Sequence, residues 1–115
     1  MEMDVEINKS NIYQIIRDKE NIDMQLLKNS IVVFETPWSE VSQQILNYLK
    51  SFKNEYNFEL VKVDLDKYRD LILEYEINEL PTLIFINNKM KSTSMGGILS
   101  KEKLRRKLDE NFTKK

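Results

Sequence analysis

Of the side chains that carry covalent or acid–base chemistry, this chain offers only hydroxyls, carboxylates and amines, because its 115 residues include no cysteine and no histidine. That excludes disulfides, a thiolate nucleophile, a histidine base and the usual structural zinc sites. The hydroxyl with the most suggestive setting is Ser39. It follows an apolar run, Ile31-Val32-Val33-Phe34, and the Pro37-Trp38 pair that closes it. If a helix starts there, Ser39 sits where exposed N–H groups and the helix dipole favour negative charge, and it serves as a cap, as a chemical group, or as both. Ser42, three residues on and one turn along, reads in isolation as an ordinary helix serine. Asp64 and Asp66 are spaced as a metal pair could be, but a strand-end residue and a helix cap account for them better. Asp4, Glu6, Glu40 and Glu59 read as solvated charges. No metal and no cofactor is predicted.

Composition narrows the partners. Eighteen basic and nineteen acidic residues give a net charge of -1, so the basic field that nucleic-acid binding needs is missing. The start, Met1-Glu2-Met3-Asp4, is acidic, and the apolar run at 31–34 is only four residues long. Neither a signal peptide nor a membrane span is predicted, and a soluble, cytoplasmic, monomeric protein is the expectation. The length suits one domain, residues 1–115.

The elements that must position Ser39 follow from periodicity. Residues 3–7 alternate weakly, as a first strand. From Ser10, Ile12, Ile15, Ile16, Ile22, Leu26 and Leu27 recur at helical spacing. Residues 31–34 read as a strand covered on both faces, ended by Pro37. A helix from Ser39 then places Val41, Ile45, Leu46, Leu49 and Phe52 on one face. Residues 58–64 form a third strand, and Asp66 is the predicted cap of a helix through Leu71, Ile72 and Tyr75. After Pro81 comes a fourth apolar strand, residues 82–86; Asn87-Asn88 suits a tight turn, and residues 89–95 return antiparallel. Met90 and Met95 on that hairpin read as packing residues that, if exposed, would extend an apolar patch with Trp38. Ser100 caps a last helix with Leu104, Leu108 and Phe112 inward, and Lys103, Arg105, Arg106 and Lys107 towards water. The order is β-α-β-α-β-α-β-β-α, an α/β protein with a central mixed sheet flanked by helices. Helix-separated strands are expected parallel and the final hairpin is expected to form an antiparallel edge.

The segment Ile31-Val-Val-Phe-Glu-Thr-Pro-Trp38-Ser39-Glu40-Val41-Ser42 resembles the active-site segment of the thioredoxin family, in which a buried strand runs into Trp-Cys-x-x-Cys at a helix start. Val61-Lys62-Val63-Asp64-Leu65-Asp66, then Leu80-Pro81-Thr82-Leu83-Ile84-Phe85, then Gly97-Ile98-Leu99-Ser100-Lys101 are similar to the family's later segments in order and spacing. The resemblance implies the thioredoxin fold and a cis peptide before Pro81. It also implies that Ser39 and Ser42 occupy the positions of the nucleophilic and resolving cysteines, and that Trp38, Leu80, Pro81, Gly96 and Gly97 line a groove for a protein or peptide substrate bound by strand addition. Trp38 is then a surface aromatic; a core tryptophan is the other reading.

A hydroxyl does not replace a thiol in disulfide exchange, so a chain with serine at both positions is redox-inactive. Three functions compete: a Cys-to-Ser form of a divergent protein-disulfide reductase, a naturally non-catalytic binding module, and, least, a glutathione transferase using a serine hydroxyl. The divergence lies in Val33 and Glu35, where the family carries aspartate and tryptophan, and in Glu40-Val41, where it carries Gly-Pro. Lys62, matching the family's lysine near that aspartate, is predicted to contact Glu35 instead.

Overall fold

The computed structural model describes residues 2–4, 29–88 and 92–115. The elements are β1 Glu2–Asp4, β2 Ser30–Glu35, α1 Glu40–Phe52, β3 Glu59–Asp64, α2 Asp70–Glu74, β4 Thr82–Ile86, β5 Ser92–Gly96 and α3 Lys101–Asn111. The predicted helix after Ser10, Met90 and the rest of the first strand beyond Asp4 lie outside the described residues.

All six residues of β2 are buried, which matches a strand paired on both edges and covered on both faces. It runs parallel to β3, with Val33 opposite Lys62, and antiparallel to β4, with Phe34 opposite Thr82. Its side chains divide by parity. Ile31 and Val33, with Leu83, Phe85 and Met95, meet Ile45, Leu46, Leu49 and Phe52 of α1 and Leu104 and Leu108 of α3. Val32 and Phe34, with Val61, Val63, Ile84 and Ile86, form a second core with Leu65, Leu71 and Ile77. Each such apolar side chain contributes about 1.5–3 kcal/mol by leaving water. Met95 is packed in the first core, so it adds nothing to an exposed patch.

Two topological expectations are corrected. The sheet order is β1-β5-β4-β2-β3; β5 is therefore interior, with β1 antiparallel on its outer side. And β4, though separated from β3 by a helix, is antiparallel to β2. The helix of this connection is five residues long, about 7.5 Å of rise against the roughly 20 Å of a six-residue strand, so it does not carry the chain back along β3 as a crossover helix would. The connection therefore leaves β3 and enters β4 at the same end of the sheet.

Asp66 is not a helix cap. Its backbone N–H donates to Asp64 Oδ1 at 2.9 Å, and the Asp64 carbonyl accepts from Lys67 and Tyr68; this turn delays the helix to Asp70. Tyr75, at the end of α2, lays its ring 5.3 Å from that of Phe34. On α3 the predicted cap is present: Ser100 Oγ accepts from Lys103 N–H at 3.0 Å. The basic residues of α3 do not all face water. Lys107 is buried and pairs with Glu110 at 3.1 Å, while Arg105 grips Glu55 through two hydrogen bonds and lies 4.9 Å from the Phe52 ring. Among the described residues no helix is long and apolar enough to cross a membrane.

Candidate functional site

One end of the sheet gathers the segments of interest. The C-terminal ends of β2, β3 and β5 and the N-terminal end of β4 lie side by side, through the pairs Glu35↔Asp64, Phe34↔Thr82 and Thr82↔Gly96. Trp38-Ser39, Asp64-Asp66, Leu80-Pro81 and Gly96-Gly97 therefore emerge at the same edge of the molecule.

Ser39 ends the 36–38 turn and caps α1. Its N–H donates to the Thr36 carbonyl at 3.2 Å; its backbone is extended, and its Oγ accepts from the Ser42 N–H at 3.2 Å. Extended backbone just before the helix and an acceptor aimed at the third helical N–H are what a serine cap requires. Among the described residues no carboxylate is hydrogen-bonded to the Ser39 hydroxyl, so none of them is placed as the base that would make it a nucleophile. Ser42 faces the other way. It is 0% exposed, and its Oγ has no hydrogen-bond partner, although a buried hydroxyl is normally satisfied. The Thr36 hydroxyl is buried and unpartnered too.

Trp38 is 70% exposed and donates its indole N–H to Asp66 Oδ2 at 3.2 Å. It is thus a surface aromatic, and the core alternative is set aside. Leu80 is half-buried against the second core, and the Leu80–Pro81 peptide is cis. The Pro81 carbonyl accepts from the Gly97 N–H at 3.0 Å, which ties the proline to the glycine pair. Glu79 lies over that pair. A Cβ on Gly97 would stand 3.0 Å from Glu79 Oε1, and one on Gly96 would stand 3.1 Å from Glu79 Oε2. Gly97 also has φ +80, a conformation that favours glycine.

Glu35 is only 5% exposed and accepts from Gln43 Nε2 at 3.3 Å. Among the described residues Lys62 forms no ion pair with it: Lys62 is exposed opposite Val33, while the Glu35 carboxylate turns to the first turns of α1. Three further residues belong to this end. Ile98 is 87% exposed, Asp66 holds the Trp38 indole, and Glu79 walls the glycines. An isoleucine stranded between a Gly-Gly pair and a helix cap was a legible sign; the other two depend on tertiary approach.

A family model described as Thioredoxin matches residues 12–110. The chain belongs to the thioredoxin family. Among curated thioredoxins it is 31% identical over 77 residues to Thioredoxin-T of Drosophila melanogaster, covering 62% of this chain and 49% of that one. It is 30% identical over 95 residues to the thioredoxin of Mycoplasmoides gallisepticum, covering 78% and 93%. The match thus spans about half the length of the first of these relatives, and nearly all of the second. Its fold resembles the reduced thioredoxin pre-protein of Schistosoma mansoni, with TM-score 0.65, 25% identity and coverage of 88% and 90%. It likewise resembles Plasmodium falciparum thioredoxin, with TM-score 0.65, 19% identity and coverage of 94% and 85%. This thioredoxin-family chain has no thiol anywhere in its sequence.

Proposed function

We propose that this chain is a redox-inactive thioredoxin-like protein, a Cys-to-Ser form of a divergent disulfide reductase that retains the means to bind an extended protein segment beside Trp38 and Pro81. The observation that carries this reading is Ser42: a fully buried hydroxyl with no partner, three residues after a helix-capping serine. A buried hydroxyl at that point costs free energy, whereas a cysteine behaves as a small hydrophobe and needs no partner. Ser39 occupies the position at which a thiol would gain nucleophilicity from the helix N-terminus, and Ser42 the position from which a second thiol would resolve a mixed disulfide. Both oxygens are inert in that exchange. Glu40, immediately beyond, would oppose a thiolate at 39, which suits a divergent member of the family. The same reading takes residues 1–115 as one domain, acting in the cytoplasm as a monomer.

The test is restoration. The double variant Ser39→Cys, Ser42→Cys is expected to reduce a protein disulfide with dithiothreitol as electron source, above the dithiothreitol background, while the chain as it stands matches that background. A folded double variant with no activity would overturn the reductase parentage and leave the non-catalytic binding module.

A further inference from the structure

We propose that the segment bound at this end of the sheet is cationic, and that Glu79 is the residue that selects it. The inference rests on the binding function proposed above. Two large apolar side chains are left in water on the segments that meet here, Trp38 and Ile98; apolar side chains gathered at one end of a fold and rimmed by polar groups suit an interaction surface. The rim is acidic. Asp66 is fixed beside Trp38 by the 3.2 Å indole bond, exposed Glu40 follows Ser39, and the Glu79 carboxylate is packed over Gly96 and Gly97, next to the Pro81 carbonyl that Gly97 binds. Among the described residues of the segments that meet at this end (38–40, 64–67, 79–81 and 96–98), the carboxylates Glu40, Asp64, Asp66 and Glu79 stand against one cation, Lys67, which lies 5.5 Å from the Tyr68 ring. A carboxylate has several acceptor sites, so contacts Glu79 already makes leave capacity for an incoming guanidinium or ammonium.

The placement of Glu79 gives it more weight than a mobile surface charge. Its own backbone carbonyl is held by Thr82 Oγ1 at 2.8 Å, and its side chain rests where neither glycine could carry a Cβ without moving it. A partner strand laid across Leu80-Pro81 brings a side chain past this wall. An arginine or lysine there meets opposite charge at a fixed position, while an aspartate or glutamate meets repulsion.

The experiment uses the unmodified chain and two fluorescent ten-residue peptides, identical except that two arginines in one are glutamines in the other. The arginine peptide is expected to bind at least about tenfold more tightly at low ionic strength, with the difference shrinking as salt is added. Glu79→Gln should weaken the arginine peptide up to about fivefold, the range of an exposed pair, and leave the glutamine peptide unchanged. Asp66→Asn, which keeps an oxygen for the Trp38 indole, provides a second reading in case Glu79→Gln disturbs the Gly96-Gly97 loop. Equal binding of the two peptides, with both lost in Trp38→Ala, overturns the charge preference and leaves the binding surface standing. If neither peptide binds, or binding ignores Trp38→Ala, the surface falls and this inference with it.

Discussion

The two serines of the Ser-x-x-Ser segment should respond to alanine with opposite signs, and this can be worked through from their surroundings. Ser39 Oγ accepts the Ser42 N–H at 3.2 Å, so Ser39→Ala leaves a helix N–H without its cap and should cost about 1 kcal/mol. Ser42 is 0% exposed and its hydroxyl unpartnered. Ser42→Ala removes a buried polar group whose desolvation costs about 1–3 kcal/mol and substitutes the better helix former. Against that stands a void the size of one oxygen, roughly 10 Å³, worth about 0.2 kcal/mol. The backbone N–H of residue 42 still reaches Ser39, so the cap survives. The net is a stabilisation of about 1–2 kcal/mol. Urea unfolding followed by far-UV circular dichroism should show the midpoint rising by roughly 0.5–1 M at unchanged m for Ser42→Ala, and falling for Ser39→Ala. Ser42→Cys should stabilise in the same direction without the void. Should Ser42→Ala prove neutral or destabilising, the hydroxyl is satisfied in solution and the argument that this position is suited to sulfur fails.

Two other outcomes follow from the same structure. Gly97→Ala forces a Cβ into φ +80 and to 3.0 Å from Glu79 Oε1 and should destabilise by about 1–3 kcal/mol; adding Glu79→Ala should recover only the contact part of that loss, read by thermal unfolding. Burial, and then donation of its hydroxyl to Asp109 Oδ1 at 2.6 Å, hold the Tyr56 phenol above its ordinary pKa. Because the fold favours the protonated phenol, its contribution is complete below the unfolded value of about 10 and is lost as pH rises from there through the folded value. Tyr56→Phe should flatten that alkaline decline, monitored by unfolding at a series of pH values.

The parts of this molecule that could be read from its sequence are those in which a local rule coincides with tertiary demand. The run 31–34 is apolar at every position because β2 is paired on both edges and covered on both faces. Ser39 and Ser100 precede amphipathic stretches and cap them. The direction of β4 was not legible in the same way. Periodicity locates a strand but says nothing about the end of the sheet from which its chain enters, and here the 65–81 connection carries no crossover helix long enough to return the chain along β3. Asp66 shows the same limit: it carries a capping side chain, but Asp64 two residues earlier took over the local backbone and left Asp66 to the Trp38 indole, 28 residues away. That Trp38, Ser39, Ser42, Leu80, Pro81, Gly96 and Gly97 lie on segments gathered at one end of the sheet was legible because the resemblance supplied their grouping. Its acidic wall was not, since Glu79 is defined by what it packs against.

The sandwiching of β2 also sets how this end of the molecule can move. A strand with a hydrogen-bonded neighbour on each side and a packed core above and below offers its amide hydrogens no partial route to solvent, so they exchange only when the whole fold opens. Ser39 is four residues beyond that strand, Thr82 is paired to it, and Gly96 is paired to Thr82. Among the described residues, the backbone around the serines is thus anchored to a strand whose amides are expected to exchange slowly. Under the proposed binding function, adjustment to a partner falls to exposed side chains such as Trp38 and Ile98, with the paired strands beneath them nearly fixed.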